Sequence, residues 1–438
     1  MNARRPSVFQ NFGRRLPLIS LLLTLFLTAA LAQDVVVKDT RYFVQQALQA
    51  YRAKDYAAYL ENMKQAQSLR PEHPTLMYNM AGAYALNGKS VEALATLGRV
   101  AQMGLIYPTD DEDFASIKSA EEFKAIVKKF EANKAPVTHS TQALTLEEKG
   151  LVTEGLAYDP VSATFFVSSV HKRKIVSVNS KGEARDFSDA QDGLWCVLGM
   201  KVDAGRRVLW VASAALPQMM NFSESDKYRT GVFKYDLKTG KLLKKYLLPD
   251  TTKGHVFGDL VVHASGDVYV TDSATPGVYL ISQQRDALEV YAGAESFISP
   301  QGVDFSADGK KLFMSDYLMG LFVFDVKTKK LTKLEHPENI SLYGLDGIYF
   351  YRGSLLAVQN GTIPQRVVRL FLNPAMTRVE RLEVIESNNP LADEPTLGVI
   401  SKDNFYFIAN SQWSTVNEKG ELAPAEKLHR PSILKTKL

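Results

Sequence analysis

A single cysteine, Cys196, occurs in 438 residues, so no internal disulfide can form and the fold must rest on its core. Cys196 sits in the apolar run Leu194-Trp195-Cys196-Val197, which suits a buried inert thiol better than a nucleophile. The seven histidines are scattered, with no His-Glu-x-x-His and no close pair, so zinc hydrolysis of that kind has no support. Gly-x-Ser-x-Gly and glycine-rich phosphate loops are absent. Ser169-Val170-His171-Lys172 matches Ser-x-x-Lys, but it falls at a strand end rather than on a helix and reads as chance. Excess charge is lacking too. The first 32 residues hold four arginines and no acid, so the remainder carries 48 basic and 48 acidic residues. Such a neutral surface gives no support for nucleic-acid or anionic-membrane binding.

Those 32 residues read as a signal peptide. Arg4, Arg5, Arg14 and Arg15 precede the apolar run Leu16 to Leu31, which closes on Ala30-Leu31-Ala32, a small-x-small cleavage pattern. The run is short for an anchor and has no positive stop-transfer flank, so stable membrane insertion is not expected. No cysteine follows the cleavage point, which excludes lipid attachment there. A periplasmic or secreted protein is the expectation.

Residues 40–135 show helical spacing with a 34-residue period. Ala47, Tyr56, Met63, Ala66 and Pro71 occupy one register, and Met77, Met80, Ala81, Tyr84, Gly88, Ala93 and Leu97 the next. The pattern resembles the tetratricopeptide repeat, with Met77 at the early large position and Leu105 at the closing proline. A third pair, from Asp113-Phe114 through Phe123 to Phe130, is expected as a cap. Either this segment offers a groove to a protein partner or it docks on the following domain. Asn133 to Ser140, with Pro136, reads as a linker.

Over residues 137–438 the period becomes alternating. From 300 to 334 one four-strand unit is legible: Gly302-Val303-Asp304-Phe305, a Ser306-Ala307-Asp308-Gly309 turn, Lys311 to Asp316, Leu321 to Val326, and Leu331 to Leu334. Units begin at Glu154-Gly155-Leu156, Leu198-Gly199-Met200, Gly258-Asp259-Leu260, Gln301-Gly302-Val303, Asp346-Gly347-Ile348 and Leu397-Gly398-Val399. A four-strand period of about 40–50 residues is the mark of propeller blades, which predicts an all-β six-bladed β-propeller behind a small all-α domain. The longest interval holds an inserted loop, Ala214 to Thr230. The sixth unit ends with Ser432 to Lys437 as its third strand, so the spare segment 141–146 is expected to close the ring as its outer strand.

The residue before each inner strand lies near one mouth of the channel. Around the ring these are Glu154, Leu198, Gly258, Gln301, Asp346 and Leu397, with Asp259 one place further along. Carboxylates and an amide oxygen facing one space suit a hard divalent cation, Ca²⁺ before Mg²⁺ or Mn²⁺. Without a cation the carboxylates repel, which raises a pKa and suits a general base. Each residue also has a structural explanation: Glu154 as a turn cap, Asp259 and Asp346 in Asx-turns, Gln301 as a polar lining residue. His255 is placed to line the mouth as acid, base or substrate contact. Trp210 and Trp413 read as packing.

The run Glu154-Gly155-Leu156-Ala157-Tyr158-Asp159-Pro160 resembles the opening motif of the gluconolactonase, or senescence-marker-protein (regucalcin), family. Gln301-Gly302-Val303-Asp304-Phe305-Ser306-Ala307-Asp308-Gly309 resembles its Asn-Gly-Leu blade, and Asp346-Gly347-Ile348 its Asp-Gly-Met blade. The resemblance covers about the last 300 residues. It implies a lactonase in which Glu154, Gln301 (in the family's Asn position) and Asp346 hold one divalent ion, with Asp346 also the catalytic base. The family's substrate-contacting Asn, in its Asn-Asp-Gly motif, is replaced here by Gly258, followed by Asp259; Asp259, and His255 three residues before Gly258, are the expected substrate contacts. Phe233-Lys234-Tyr235-Asp236-Leu237-Lys238-Thr239-Gly240-Lys241 also resembles the insect yellow/royal-jelly propellers, which are binders more than enzymes. Three readings follow: a metal-dependent hydrolase of lactones or related esters, an exported binder of a small ligand at the mouth, and a scaffold for a protein partner.

Overall fold

The computed structural model describes residues 39–249, 251–293 and 297–438. The leader expected over residues 1–32 lies outside them. Among the described residues no helix is long and apolar enough to cross a membrane. Two compact units are present, the first formed by residues up to Ala135 together with Pro337–Tyr343, the second by Pro136–His336 and Gly344–Leu438.

The first unit has five α-helices among the described residues: α1 (Thr40–Arg52), α2 (Tyr56–Leu69), α3 (Pro74–Leu86), α4 (Ser90–Gln102) and α5 (Glu121–Ala132). Asp39 and Asp55 cap α1 and α2 by accepting the amides of Tyr42 and Ala58, at 2.9 and 3.0 Å. Pro74 opens α3, where its missing N–H costs nothing. The small and apolar residues of the 34-residue register are buried: Ala47, Met63, Ala66, Met77, Ala81, Ala93 and Leu97. The third helix pair expected from Asp113 to Phe130 does not form. Glu112–Phe114 is a single 3₁₀ turn, because Asp111 accepts the Asp113 amide and closes the chain locally, and only α5 follows. Pro337–Tyr343 packs within this unit, with the Tyr343 hydroxyl donating to the Pro71 carbonyl at 2.8 Å and its ring 4.7 Å from that of His73.

The second unit is six antiparallel sheets of four or five strands. Their inner strands are Leu156–Asp159, Cys196–Asp203, Phe257–Val262, Pro300–Phe305, Leu345–Tyr351 and Gly398–Ser401. Each packs on the next and the sixth packs on the first, which closes a six-bladed β-propeller. Blade six takes its outer strand, Ser140–Thr145, from the start of the domain, paired with Ser432–Lys437. Closure of this kind removes a free sheet edge. Part of the expected linker is also a strand, since Val137–Thr138 pairs with the end of Val379–Ser387 as a fifth strand of blade five. Between blades, apolar faces interlock. Phe257, Leu260, Val268 and Val270 of blade three, for instance, pack with Val208, Trp210, Val232 and Tyr246 of blade two. Trp210 is therefore a packing residue.

Candidate functional site

The blade starts owe their glycines to close approach. A Cβ on Gly155 would lie 2.0 Å from the Leu198 carbonyl oxygen, and one on Gly302 would lie 2.4 Å from that of Asp346. Nothing larger than hydrogen fits where inner strands touch, and five of the six blades carry glycine there; blade three carries Asp259. In blades two to five the inner strand is also irregular at this point, the register shifting between Val197 and Met200, Phe257 and Leu260, Pro300 and Val303, and Leu345 and Ile348. A bulge re-aims the side chain it carries. Gln301 and Asp346 sit in these bulges. Hydroxyls of the second strands hold the bulged backbone: Thr271 donates to the Gln301 carbonyl at 2.6 Å, and Ser315 to the Asp346 carbonyl at 2.7 Å. In blade one, Ser168 accepts the amides of Glu154 and Gly155.

Three of the residues marked in the sequence share one arrangement: each has one polar atom engaged by a neutral neighbour. Glu154 accepts the indole N–H of Trp413 on Oε2 at 2.6 Å. Asp346 accepts the amide of Asn360 on Oδ2 at 2.7 Å. Gln301 donates its amide nitrogen to Ser299 at 3.0 Å, which turns Oε1 toward Gly258, where an added Cβ would lie 3.7 Å from it. The Asn360 amide is itself fixed, because Nδ2 also donates to the Pro395 carbonyl at 3.0 Å while Oδ1 accepts the Tyr317 hydroxyl at 3.1 Å. A carbonyl oxygen can only accept, so the amide cannot be flipped.

Electrostatically the mouth is acidic. Burial and the Asp346 carboxylate push Glu154 well above the usual carboxylate range, and Asp259 and Glu394 add to the effect. Burial raises Asp346 to about 7, the Asn360 hydrogen bond opposing and Asp259 adding to the rise. Apart from burial, the neighbours that raise these two groups are acidic. Among the described residues no group of three or more His, Cys, Asp or Glu side chains is arranged to hold a metal. Any cation site here therefore depends on amide oxygen as well as carboxylate. The donor set of two carboxylates and an oriented amide oxygen fits a hard divalent ion.

Asp259 belongs to the same acidic group but is only 2% exposed, with Oδ2 accepting the Val303 amide. His255 is buried as well. It is 3% exposed, and Nδ1 lies 2.5 Å from Asp272 Oδ2, while Oδ1 of that aspartate accepts the amides of Val256, Ala274 and Thr275. The histidine is held in a strand-end cap. Trp413, read as packing, instead contacts Glu154. The sequence reading missed Asn360, Tyr317 and Ser299. A signal existed for the first two, since each immediately follows a second strand, the position that returns to the mouth. Cys196 is buried and its thiol is pushed up to about 12, so it is inert as a nucleophile.

No protein-family model matches the chain, and no curated protein matches its sequence. Among solved structures it is similar to a gluconolactonase of Xanthomonas campestris, at 15% identity and a TM-score of 0.46 over 70% of this chain and 93% of that one. Similar too are the calcium-binding protein regucalcin of Agrobacterium tumefaciens, at 14% and 0.46 over 67% and 93%, and virginiamycin B lyase of Staphylococcus aureus, at 11% and 0.44 over 67% and 98%. The six blades are established by the strand pairing itself and need none of these likenesses.

Proposed function

We propose that the protein is an exported, metal-dependent hydrolase of lactones or related esters, with a divalent cation, Ca²⁺ first and Mg²⁺ or Mn²⁺ next, at the propeller mouth. The observation that carries this reading is the orientation of Glu154, Asp346 and Gln301. Neutral donors engage one oxygen of each carboxylate, and Ser299 accepts from the amide nitrogen of Gln301, so one oxygen of each side chain remains for a ligand. Neutral donors leave the carboxylate charge uncompensated, which favours a cation. Glu154, Asp346 and Gln301 would hold the ion. When bound, it supplies a Lewis acid for an ester carbonyl and lowers the pKa of water.

The residues have separable parts. Asp346, with Oδ2 committed to Asn360, presents Oδ1 as the proton acceptor for an attacking water. Trp413 keeps Glu154 from rotating into hydrogen bonds with the wall. Asp259 contributes charge and could touch substrate only through a change in its present burial. His255 is assigned no catalytic step.

The test is calorimetric titration of chelator-treated full-length protein with CaCl₂ and MnCl₂, beside turnover on a panel of lactones and aryl esters. One bound ion, abolished together with turnover in Asp346→Ala, supports the reading. Absence of binding, with turnover unchanged in that variant, refutes it. Ion binding without turnover transfers the protein to the second reading, an exported binder of a small ligand. A protein partner for the helical unit remains a proposal for a pull-down with surface variants at Tyr84.

A further inference from the structure

Trp413 stands at the base of a long loop of blade six, between Asn404–Ile408 and Ser432–Lys437. That loop does not stand alone. The blade-two insertion, between Val208–Ala214 and Thr230–Asp236, comes from the far side of blade one and meets it. Each of the two joins the second strand of its blade to the third, so both emerge at the mouth end.

The blade-six loop is a clamped hairpin. Gln412 ties its two limbs, Nε2 donating to the His429 carbonyl at 3.0 Å and Oε1 accepting the His429 amide at 2.7 Å. Val416 and Leu422 form an antiparallel bridge, and the Ala423 amide donates to the Thr415 carbonyl at 2.7 Å. The tip, Gly420, has φ +74 and lies against the insertion: a Cβ there would stand 2.7 Å from the Pro217 carbonyl oxygen and 3.0 Å from that of Met219. Blade one holds the insertion in turn. His171 donates from Nδ1 to the Gln218 carbonyl at 2.8 Å, and its own carbonyl accepts the Met220 amide at 2.8 Å. Because a carbonyl oxygen only accepts, Nδ1 carries the proton. Apolar contact seals the joint, with Leu216 and Met219 of the insertion and Val416 of the hairpin buried in one cluster.

We propose that these two loops form one brace across blade one, and that Gly420 and His171 are positioning residues which, through the hairpin, set the Trp413 indole on Glu154. The insertion is the seat and the hairpin tip rests on it. Trp413 lies three residues before Val416, where the hairpin's bridge begins. A tip lifted off Pro217 and Met219 therefore tilts the limb that carries the indole, and the 2.6 Å bond to Glu154 Oε2 weakens steeply with angle. The consequence for a bound ion rests on the reading of Glu154 as a mouth ligand; the brace itself does not.

The chain has three tryptophans, Trp195, Trp210 and Trp413, so ¹⁵N-tryptophan labelling of the metal-free, full-length protein gives three indole signals by NMR. Trp413→Phe assigns the signal of interest. Gly420→Ala is expected to shift or broaden it, while that of Trp210, packed between blades two and three, stays in place. His171→Ala should do the same, and His171→Asn, whose amide nitrogen can replace Nδ1 as donor, should restore it. Gly182→Ala is the control: its φ is +81 and an added Cβ meets nothing within 4 Å, so it carries the backbone strain without the collision. A Trp413 signal unchanged in both Gly420→Ala and His171→Ala overturns the proposal, and so does one that moves equally in Gly182→Ala. If Gly420→Ala does not fold, the His171→Ala and His171→Asn pair decides. Titration with CaCl₂ reads the consequence, an affinity about 10-fold weaker in Gly420→Ala. Should wild type bind no ion, the hydrolase reading fails while the indole signals still judge the brace, so the two failures are distinguishable.

Discussion

Asn360 donates one amide hydrogen to Asp346 Oδ2 at 2.7 Å and so fixes that carboxylate directly. Because the Pro395 carbonyl and the Tyr317 hydroxyl hold the amide from the other side, Asn360 acts as a rigid bracket. Its removal is expected to free Asp346 to rotate. Asn360→Leu should weaken Ca²⁺ binding by about 10–100-fold, the usual cost of losing a group that orients a metal ligand. Calorimetry on the folded variant checks this, and unchanged affinity would sink the bracket role.

Cation binding should depend on pH. Asp346 is raised to about 7 and Glu154 is also raised, so each must lose a proton before it can serve an ion. Affinity is expected to climb as pH rises through about 7 and to level off once both carboxylates are ionised. Titrations from pH 5.5 to 8.5 should also release protons on binding. A flat profile speaks against these two residues as the ligands.

Stability should run the other way in the metal-free protein. Burial raises Asp304 to about 6, above the value of about 4 expected for an unfolded chain. The folded state therefore holds the proton more tightly. Its contribution is fully present below about pH 4 and is lost as pH rises through about 6. Asp304→Asn is expected to flatten this part of the stability-versus-pH curve, measured by urea unfolding. An unchanged slope would remove Asp304 as its source.

Gly302 and Gly293 make a contrast in packing. A Cβ on Gly302 meets the Asp346 carbonyl oxygen at 2.4 Å, whereas one on Gly293 meets nothing within 4 Å. Gly302→Ala must push two inner strands apart and should cost about 3 kcal/mol. Gly293→Ala should change stability by no more than about 0.5 kcal/mol. Thermal melting of the pair tests whether glycine is needed at blade starts for space.

Arg207 donates two hydrogen bonds to Asp159, at 2.6 and 2.7 Å, joining a turn of blade two to the end of the first strand of blade one. Asp159 is 1% exposed, and the guanidinium beside it holds its carboxyl far below the usual range. Arg207→Ala leaves that carboxylate without its charged partner and should cost about 1–3 kcal/mol. Arg207→Lys should recover only part of this, because an ammonium cannot reproduce the bidentate fork.

The sequence by itself determined the period. Its repeated x-Gly-x starts, β-rich runs and turn residues are local features that announce four-stranded units, and the blade count follows from them. It determined also which residues stand first in each unit, so Glu154, Gln301 and Asp346 could be marked before any coordinates. Only the tertiary structure decided what surrounds them. Asn360 and Trp413 stand 14 and 259 residues from the carboxylates they hold, and no local pattern in the sequence links the amide or the indole to them.

The same limit explains His255 and Asp259. A histidine three residues before a blade start looks the same in sequence whether it faces solvent or a buried aspartate; the strand-end turn around Asp272 settled it. Asp259 reads as a second mouth carboxylate, but blade three places it where other blades carry glycine, against the backbone of Gly199. Strand period is written in neighbouring residues, whereas charge compensation is settled between blades that meet only when the circle closes.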